Sequence, residues 1–120
     1  VEMIGVRAFR RVPKVHRVYI SSKNLTTIKK GAFRECTGMT KFNVVSTKLN
    51  SLQKYALYGN SKLKTIIFKS EHLTKSNVGS KTFSGIKSTA TFTVPAGSVQ
   101  NYKDLFKSKG AGSKFKVKSL

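Results

Sequence analysis

The sequence predicts an α/β-type solenoid that consists mainly of short parallel strands and is closed at its C-terminus by a helix and a strand. The first observation is a short phrase that occurs four times, as IGVRAFRRV (4–12), IKKGAFREC (28–36), LQKYALYGN (52–60) and VGSKTFSGI (78–86). The second is the regular spacing of these phrases, which is 24, 24 and 26 residues. A period in the twenties is typical of a solenoid, in which stacked units bury one continuous core.

Apolar residues occupy the same eight positions in each unit. In the second unit these positions hold Ile28, Ala32, Phe33, Cys36, Met39, Phe42, Val44 and Leu49. Across the four units 29 of the 32 positions are apolar, whereas only 38% of the chain is hydrophobic, so composition alone does not explain the alignment. We therefore predict a single domain over 1–120 with about four units of 24 residues, at 4–27, 28–51, 52–77 and 78–99.

One of these positions predicts a ladder of large side chains inside the core. It holds an aromatic or aliphatic residue in every unit: Phe9, Phe33, Leu57 and Phe83. We expect these side chains to stack on the convex side of the solenoid, because equivalent residues of stacked units lie next to each other. The same alignment assigns Thr89 of the fourth unit to the core.

Each unit divides into two halves. The second half reads V-x-x-V-x-I-x-x-x-x-L over 15–25 and M-x-x-F-x-V-x-x-x-x-L over 39–49. This is the apolar frame of a leucine-rich repeat, with a short strand whose alternate residues face inward and a turn that adds one more apolar residue. The first half, such as GAFREC, is too short for a stable free helix, and we predict one helical turn held by its Ala-Phe pair.

The C-terminal segment 98–120 is predicted to be a cap. Ser98 is a suitable N-cap residue. Gly110 and Gly112 are expected to end the helix that follows, and KFKVKSL alternates as a final strand. The side chains expected to face the core are Val99, Tyr102, Leu105 and Phe106 from the helix, and Phe115 and Val117 from the strand. No comparable cap is recognisable at the N-terminus.

The frame I-G-x-x-A-F-x-x-C followed by L-x-x-I-x-I resembles the BspA-type leucine-rich repeat of bacterial surface proteins. The resemblance covers 4–99, and the ending ATFTVPAGSVQNYKDLFKSKG is similar to the terminator of such arrays. It implies a cell-surface or secreted adhesin, in the lysine-rich version found in Firmicutes. Three features depart from the pattern, and one of them is Leu57, which replaces the usual phenylalanine of the Ala-Phe pair. Asn60 replaces a cysteine or apolar residue, and the position of the asparagine ladder in other leucine-rich repeats holds Lys23, Thr47, Glu71 and Gly97.

The charge of the chain is its most unusual compositional feature. Lysine and arginine number 24 against four acidic residues, which gives a net charge of +20 and an expected attraction for polyanions.

A single cysteine excludes an intramolecular disulfide framework. No apolar run approaches the roughly 18 residues that span a bilayer. No signal peptide is recognisable, and the chain opens inside a repeat, so we expect a mature or trimmed piece of a longer protein.

The sequence offers little material for catalysis. His16 and His72 lie in different units, and the four acidic residues form no close pair. Cys36 shares an apolar position with Val12 and Ile86, which favours a buried structural thiol over a nucleophile. No metal-ligand spacing, P-loop or dinucleotide motif occurs. We therefore predict a non-enzymatic protein without a cofactor or metal.

The strand residues between the core positions predict a binding face. In a leucine-rich solenoid they face outward on the concave side. Their mixture of basic, aromatic and apolar types suits contact with a protein or glycan, although such residues could also serve only to keep an exposed sheet soluble. The candidate binding residues are Arg17, Tyr19, Lys41, Asn43, Val45, Lys64, Ile67 and Lys69.

The distribution of charge keeps other functions open. Only four of the 24 basic residues fall on the predicted concave face, and the sequence indicates no basic cluster interleaved with aromatic residues of the kind that reads nucleic acid. The leading hypothesis is a non-catalytic binding or adhesion module at a cell surface. The alternatives are a salt-sensitive binder of polyanions, such as teichoic acid, sulfated glycan or nucleic acid, and a structural spacer for another domain.

Overall fold

The computed structural model describes residues 2–120, which form two parallel sheets and a C-terminal helix. The smaller sheet has strand order β1-β3-β5, and the larger has strand order β2-β4-β6-β7-β8. A 3-10 turn, Ala96–Ser98, leads into the helix α1, Val99–Ser108. The strands are β1 (Met3–Ile4), β2 (Arg17–Ile20), β3 (Thr27–Ile28), β4 (Lys41–Val44), β5 (Ser51–Leu52), β6 (Thr65–Phe68), β7 (Thr91–Val94) and β8 (Lys116–Ser119).

The strand register follows the period of the sequence. In the larger sheet Arg17 pairs with Lys41, Lys41 with Thr65 and Thr65 with Thr91, so each step advances the chain by one unit. The smaller sheet steps in the same way from Thr27 to Ser51. Short parallel strands stacked at this spacing confirm the predicted solenoid of the leucine-rich type.

The core runs continuously between the two sheets. All eight predicted positions are buried in the second and third units. The predicted ladder begins with the Phe9 and Phe33 rings, which stack with centroids 5.1 Å apart, and continues through the buried Leu57 and Phe83. Phe33 also meets the edge of Phe42 at 5.0 Å, which ties the convex side of the core to the larger sheet.

The first and fourth units depart from the predicted core. Thr89 is exposed and Ala90 is buried instead, because the alanine methyl enters the core without the penalty of burying a hydroxyl. In the first unit Ala8 is exposed and Phe9 keeps 44% of its surface accessible. A unit buries its apolar edge against neighbours on both sides, and among residues 2–120 the first unit has a neighbour on one side only.

The convex segments are not the single helical turns that the sequence suggested. Short-range bonds such as Ala8 N–H to the Gly5 carbonyl alternate with bonds to the next unit, such as Phe9 N–H to the Ala32 carbonyl at 2.7 Å. Left-handed residues accompany this alternation, and their own N–H groups bond to the next unit, as Arg7 N–H does to the Lys30 carbonyl at 3.0 Å. They fall in two columns, Arg7, Gly31, Tyr55 and Lys81 in one, and Arg11, Glu35, Gly59 and Gly85 in the other.

Serines replace the missing asparagine ladder. Ser46 Oγ donates to the Leu25 carbonyl of the preceding unit at 2.7 Å and accepts the N–H of Lys48 at 3.1 Å. Ser70, one period later, makes the equivalent pair of bonds. These hydroxyls satisfy backbone groups at the turn after each strand.

The C-terminal segment closes the core as the sequence predicted. Tyr102, Leu105 and Phe106 of α1 are buried, and the left-handed Gly110 follows the end of the helix. The Tyr102 hydroxyl donates to the Ser70 carbonyl at 2.6 Å, and burial raises the pKa of this phenol. Ser98 stands at the N-cap position of α1 as predicted, although its side chain makes no cap hydrogen bond.

Strand β8 extends the larger sheet beyond the four units. It pairs in parallel with β7, with Thr91 opposite Lys116. Val117 is buried and Phe115 meets the ring of Phe92 at 5.8 Å, so both predicted inward residues face the core. The cap therefore lengthens the outer face of the sheet as well as covering its end.

Candidate functional site

Cys36 occupies a structural position in the core. It is buried, and its thiol donates to the Phe9 carbonyl of the preceding unit at 2.9 Å. Asn60, at the same position one unit later, donates to the Phe33 carbonyl at 2.9 Å. The exposed His16 pairs instead with the Gly38 carbonyl at 3.1 Å. The asparagine that departs from the pattern thus performs the same bridging task as the cysteine.

The Cys36 thiol should resist alkylation in the folded protein. Burial raises its pKa, so less thiolate forms near neutral pH, and the core excludes the reagent. Iodoacetamide labelling followed by mass spectrometry should be slow in buffer and fast in urea. The variant Cys36→Val should fold, because Val12 holds the equivalent position in the first unit. Rapid labelling of the native protein would contradict a structural role and restore the nucleophile as a hypothesis.

No metal site is evident in the described part of the chain. Within residues 2–120, histidine, cysteine, aspartate and glutamate side chains form no group of three or more that could hold a metal ion. No helix in the same range is long and apolar enough to cross a bilayer.

The outer face of the five-stranded sheet brings together most of the candidate binding residues in two rows. Register places Arg17 beside Lys41 in the first row, and Tyr19 beside Asn43 and Ile67 in the second. Parallel strands separate row neighbours by about 4.8 Å. Tyr19 is 66% exposed, whereas Asn43 and Ile67 are half-buried. The Oδ1 atom of Asn43 is buried, and residues 2–120 offer it no hydrogen-bond partner.

The remaining candidates border these rows. Lys64 precedes β6, and Val45 and Lys69 follow β4 and β6, where they share a shallow depression of about 280 Å³. Lys64 and Lys69 are exposed, and Val45 is half-buried.

Two lysines of this face were missed in the sequence. Lys116 pairs with Thr91 and Lys118 with Thr93, so both continue the rows on β8. The alternation of KFKVKSL predicted the strand, but nothing local indicated which sheet it joins. The face therefore carries more positive charge than the four units alone suggest.

A comparison with protein families decides what kind of repeat this is. Residues 1–118 match the family model described as the BspA type leucine rich repeat region (6 copies). The chain belongs to the BspA-type leucine-rich repeat family. The match confirms the resemblance noted in the sequence. No curated protein and no solved structure matches the chain significantly.

Basic and aromatic residues do cluster on one face of this BspA-type repeat, contrary to the sequence-based prediction. The cluster lies on the convex side, where residues from three units meet. Four of the five arginines of the chain belong to it, together with one acid and two aromatic residues. We name it the arginine patch, which comprises Arg7, Arg10, Arg11, Arg34, Glu35, Tyr55 and Tyr58.

The two ends of the BspA-type array differ in chemistry. At the N-terminal end a cavity of about 610 Å³ opens between the sheets, with Phe9 and Val18 in its wall. At the C-terminal end a groove of about 700 Å³ runs between α1 and β8, with Lys103, Lys107 and Lys116 along it. One end is therefore mainly apolar and the other cationic.

Proposed function

We propose that this chain is a non-catalytic binding module, acting at a bacterial cell surface or in secreted form, that recognises a protein or glycan through the outer face of the five-stranded sheet. Membership of the BspA-type family supports a binding role, because leucine-rich repeats commonly serve as recognition modules. The observation that carries the proposal is the row formed by Tyr19, Asn43 and Ile67.

The composition of this row supports contact with a partner. Tyr19 offers a large, mostly exposed aromatic surface, a residue type enriched among interface residues that dominate binding energy. Ile67 and Val45 add apolar surface that a merely solubilising face does not need. The neighbouring row supplies the positive rim of Arg17 and Lys41. An aromatic and apolar centre with a polar rim is the usual anatomy of a recognition surface.

The unpartnered Oδ1 atom of Asn43 adds a second line of support. A buried acceptor without a hydrogen bond is unfavourable in the free protein, at about 1–3 kcal/mol. A partner that donates a hydrogen bond here would remove that penalty. Hydroxyl and amide groups of glycans and peptides are suitable donors.

A triple variant tests the sheet face. Tyr19→Ala, Asn43→Ala and Ile67→Ala together should weaken binding to cultured animal cells or to neighbouring bacteria by about thirtyfold or more, since one or two dominant contacts of about 2 kcal/mol are lost. Folding should persist, because none of the three occupies a core position. Flow cytometry with labelled protein at physiological salt measures the effect.

The matched control removes three side chains away from the sheet. The control variant combines Lys107→Ala on α1 with Lys109→Ala and Lys114→Ala in the segment between α1 and β8. This control should change binding only slightly at physiological salt. Equal losses from the two triple variants would mean that charge alone drives attachment, and the sheet face would not be the site.

A second candidate function is salt-sensitive binding of anionic polymers. The net charge of +20 favours it, because polyanion binding gains free energy from counterion release. Lys116 and Lys118 add to the positive charge of the outer face. The affinity of such binding should fall steeply as salt is added.

A further inference from the structure

The arginine patch lacks enough negative charge to neutralise it. Glu35 is the acid at its centre, and it lies 3.0 Å from Arg34 Nε and 3.6 Å from Arg11 Nε. Within residues 2–120, Arg7 and Arg10 form no ion pair. The patch therefore holds four guanidinium groups against one carboxylate.

Arg10 is repelled by the three other arginines of the patch. Its Nε atom is buried, and no hydrogen-bond partner for it occurs in residues 2–120. Repulsion from the neighbouring Arg11, followed by partial desolvation, lowers the pKa of Arg10 from its usual range. An unpaired donor among like charges is most readily stabilised by an anion from outside the chain.

The backbone of the patch is strained where its side chains are attached. Arg7, Arg11 and Tyr55 have φ values of 55°, 57° and 63°, in the left-handed region that favours glycine. Glycine occupies equivalent positions in other units, as Gly31 and Gly59. The same turns can therefore be built without strain. Non-glycine residues held in such conformations cluster at functional sites.

The rings of Tyr55 and Tyr58 pack against Arg34 and are therefore not free to stack on a ligand. The guanidinium carbon of Arg34 lies 4.8 Å from the centroids of both Tyr55 and Tyr58. The two rings meet edge to face at 5.2 Å, and the amine of Lys54 lies 5.0 Å from the Tyr55 centroid. Cations already cover these rings, so the patch is better suited to anionic groups than to stacking nucleobases.

We propose that the arginine patch is a binding site for a base-free polymer of phosphate groups. Planar guanidinium forks match phosphate oxygens in pairs, which a lysine ammonium cannot do. The arginines come from two successive units, and stacked Phe9 and Phe33 show that these units repeat at about 5.1 Å. A chain of anions can therefore span the patch. The proposal sharpens the second candidate function and is independent of the sheet face.

The test measures the affinity of the full chain for a short inorganic polyphosphate by titration calorimetry. The double variant Arg7→Gly and Arg11→Gly should bind at least about tenfold more weakly, because charge-assisted hydrogen bonds are lost. Glycine accepts the left-handed backbone at both positions, so the melting temperature should not fall. The double variant Arg7→Lys and Arg11→Lys keeps the charge and should still bind more weakly, since the forks are gone.

Two further variants separate a discrete site from general attraction. Lys23→Ala with Lys75→Ala removes the same charge from exposed turns away from the patch, and binding should fall much less. Glu35→Gln removes the competing carboxylate and should tighten binding about two- to fivefold. Equal losses in the lysine and arginine-to-glycine variants, or an unchanged affinity of the arginine-to-lysine variant, would overturn the site but leave general polyanion binding intact.

Competing polymers test the chemical class. Single-stranded DNA and a heparin fragment of matched charge should each bind more weakly than polyphosphate and depend less on Arg7 and Arg11. Tighter, patch-dependent binding of either polymer would overturn the assignment to base-free phosphate. The Tyr19, Asn43 and Ile67 triple variant should bind polyphosphate like the parent, so failure of this proposal is distinguishable from failure of the sheet-face proposal.

Discussion

Replacing Phe33 with alanine should lower the free energy of unfolding by about 3–5 kcal/mol. The ring is only 2% exposed, and it joins two parts of the core. It stacks on Phe9 at 5.1 Å and meets Phe42 edge to face at 5.0 Å. Its removal leaves a cavity between the convex turns and the larger sheet. Urea unfolding followed by far-ultraviolet circular dichroism measures the loss.

Phe9→Ala is the matched control, because Phe9 occupies the same position of the preceding unit. Its side chain is 44% exposed, so less apolar surface returns to water when it is truncated. The loss should be about half of that for Phe33 or less, in proportion to the buried area. If both variants lost the same free energy, the ladder would not be the element that holds neighbouring units together.

The sequence contained enough to predict the core and the strand register. Side-chain orientation alternates along a strand, so the apolar positions of each unit determine which residues face inward. A period of 24 residues then requires equivalent residues to pair, as Lys41 and Thr65 do. The outward positions of Tyr19 and Ile67 follow from the same rule, which is why this part of the outer face of the sheet could be predicted from the sequence.

The conformation of the convex turns could not be predicted in the same way. Left-handed residues are usually recognised by glycine, but one turn column holds Arg7, Tyr55 and Lys81 beside a single glycine, Gly31. Because these three residues are not glycine, the sequence does not indicate that their backbone is left-handed. Their alternating hydrogen bonds to the next unit also depend on stacking, which a short segment such as GAFREC does not encode by itself.

The arginine patch escaped prediction because its members come from three different units. The sequence separates Arg7 from Arg34 by 27 residues and Arg34 from Tyr58 by 24 residues. Only the stacking of successive units brings their side chains together. The outward strand residues, which the sequence pattern does identify, lie on a different face of the protein from the patch. A signal was present, since four of the five arginines lie within the two phrases at 4–12 and 28–36.

Truncation of Phe106 to alanine should be as damaging at the C-terminal end as the Phe33 change is in the middle. Phe106 is completely buried and stacks on Phe92 with centroids 4.1 Å apart, and it meets Phe83 at 5.1 Å. The expected loss is about 3–5 kcal/mol, or a melting temperature lower by about 10–20 °C. The neighbouring Lys107→Ala, which removes an exposed side chain of the same helix, should change the melting temperature little.

The Phe106 variant should also show where the array opens first. Stability in a solenoid is carried by interfaces between neighbours, so loss of the cap should loosen the adjacent strands before distant ones. Hydrogen exchange should therefore accelerate most at β7 and β8 and least at β3, which lies far along the stack. The cap contacts Phe92 of β7 directly, whereas β3 is held by β1 and β5. Uniform acceleration across all strands would instead mean that the chain unfolds as one cooperative unit, with the cap supporting every repeat equally.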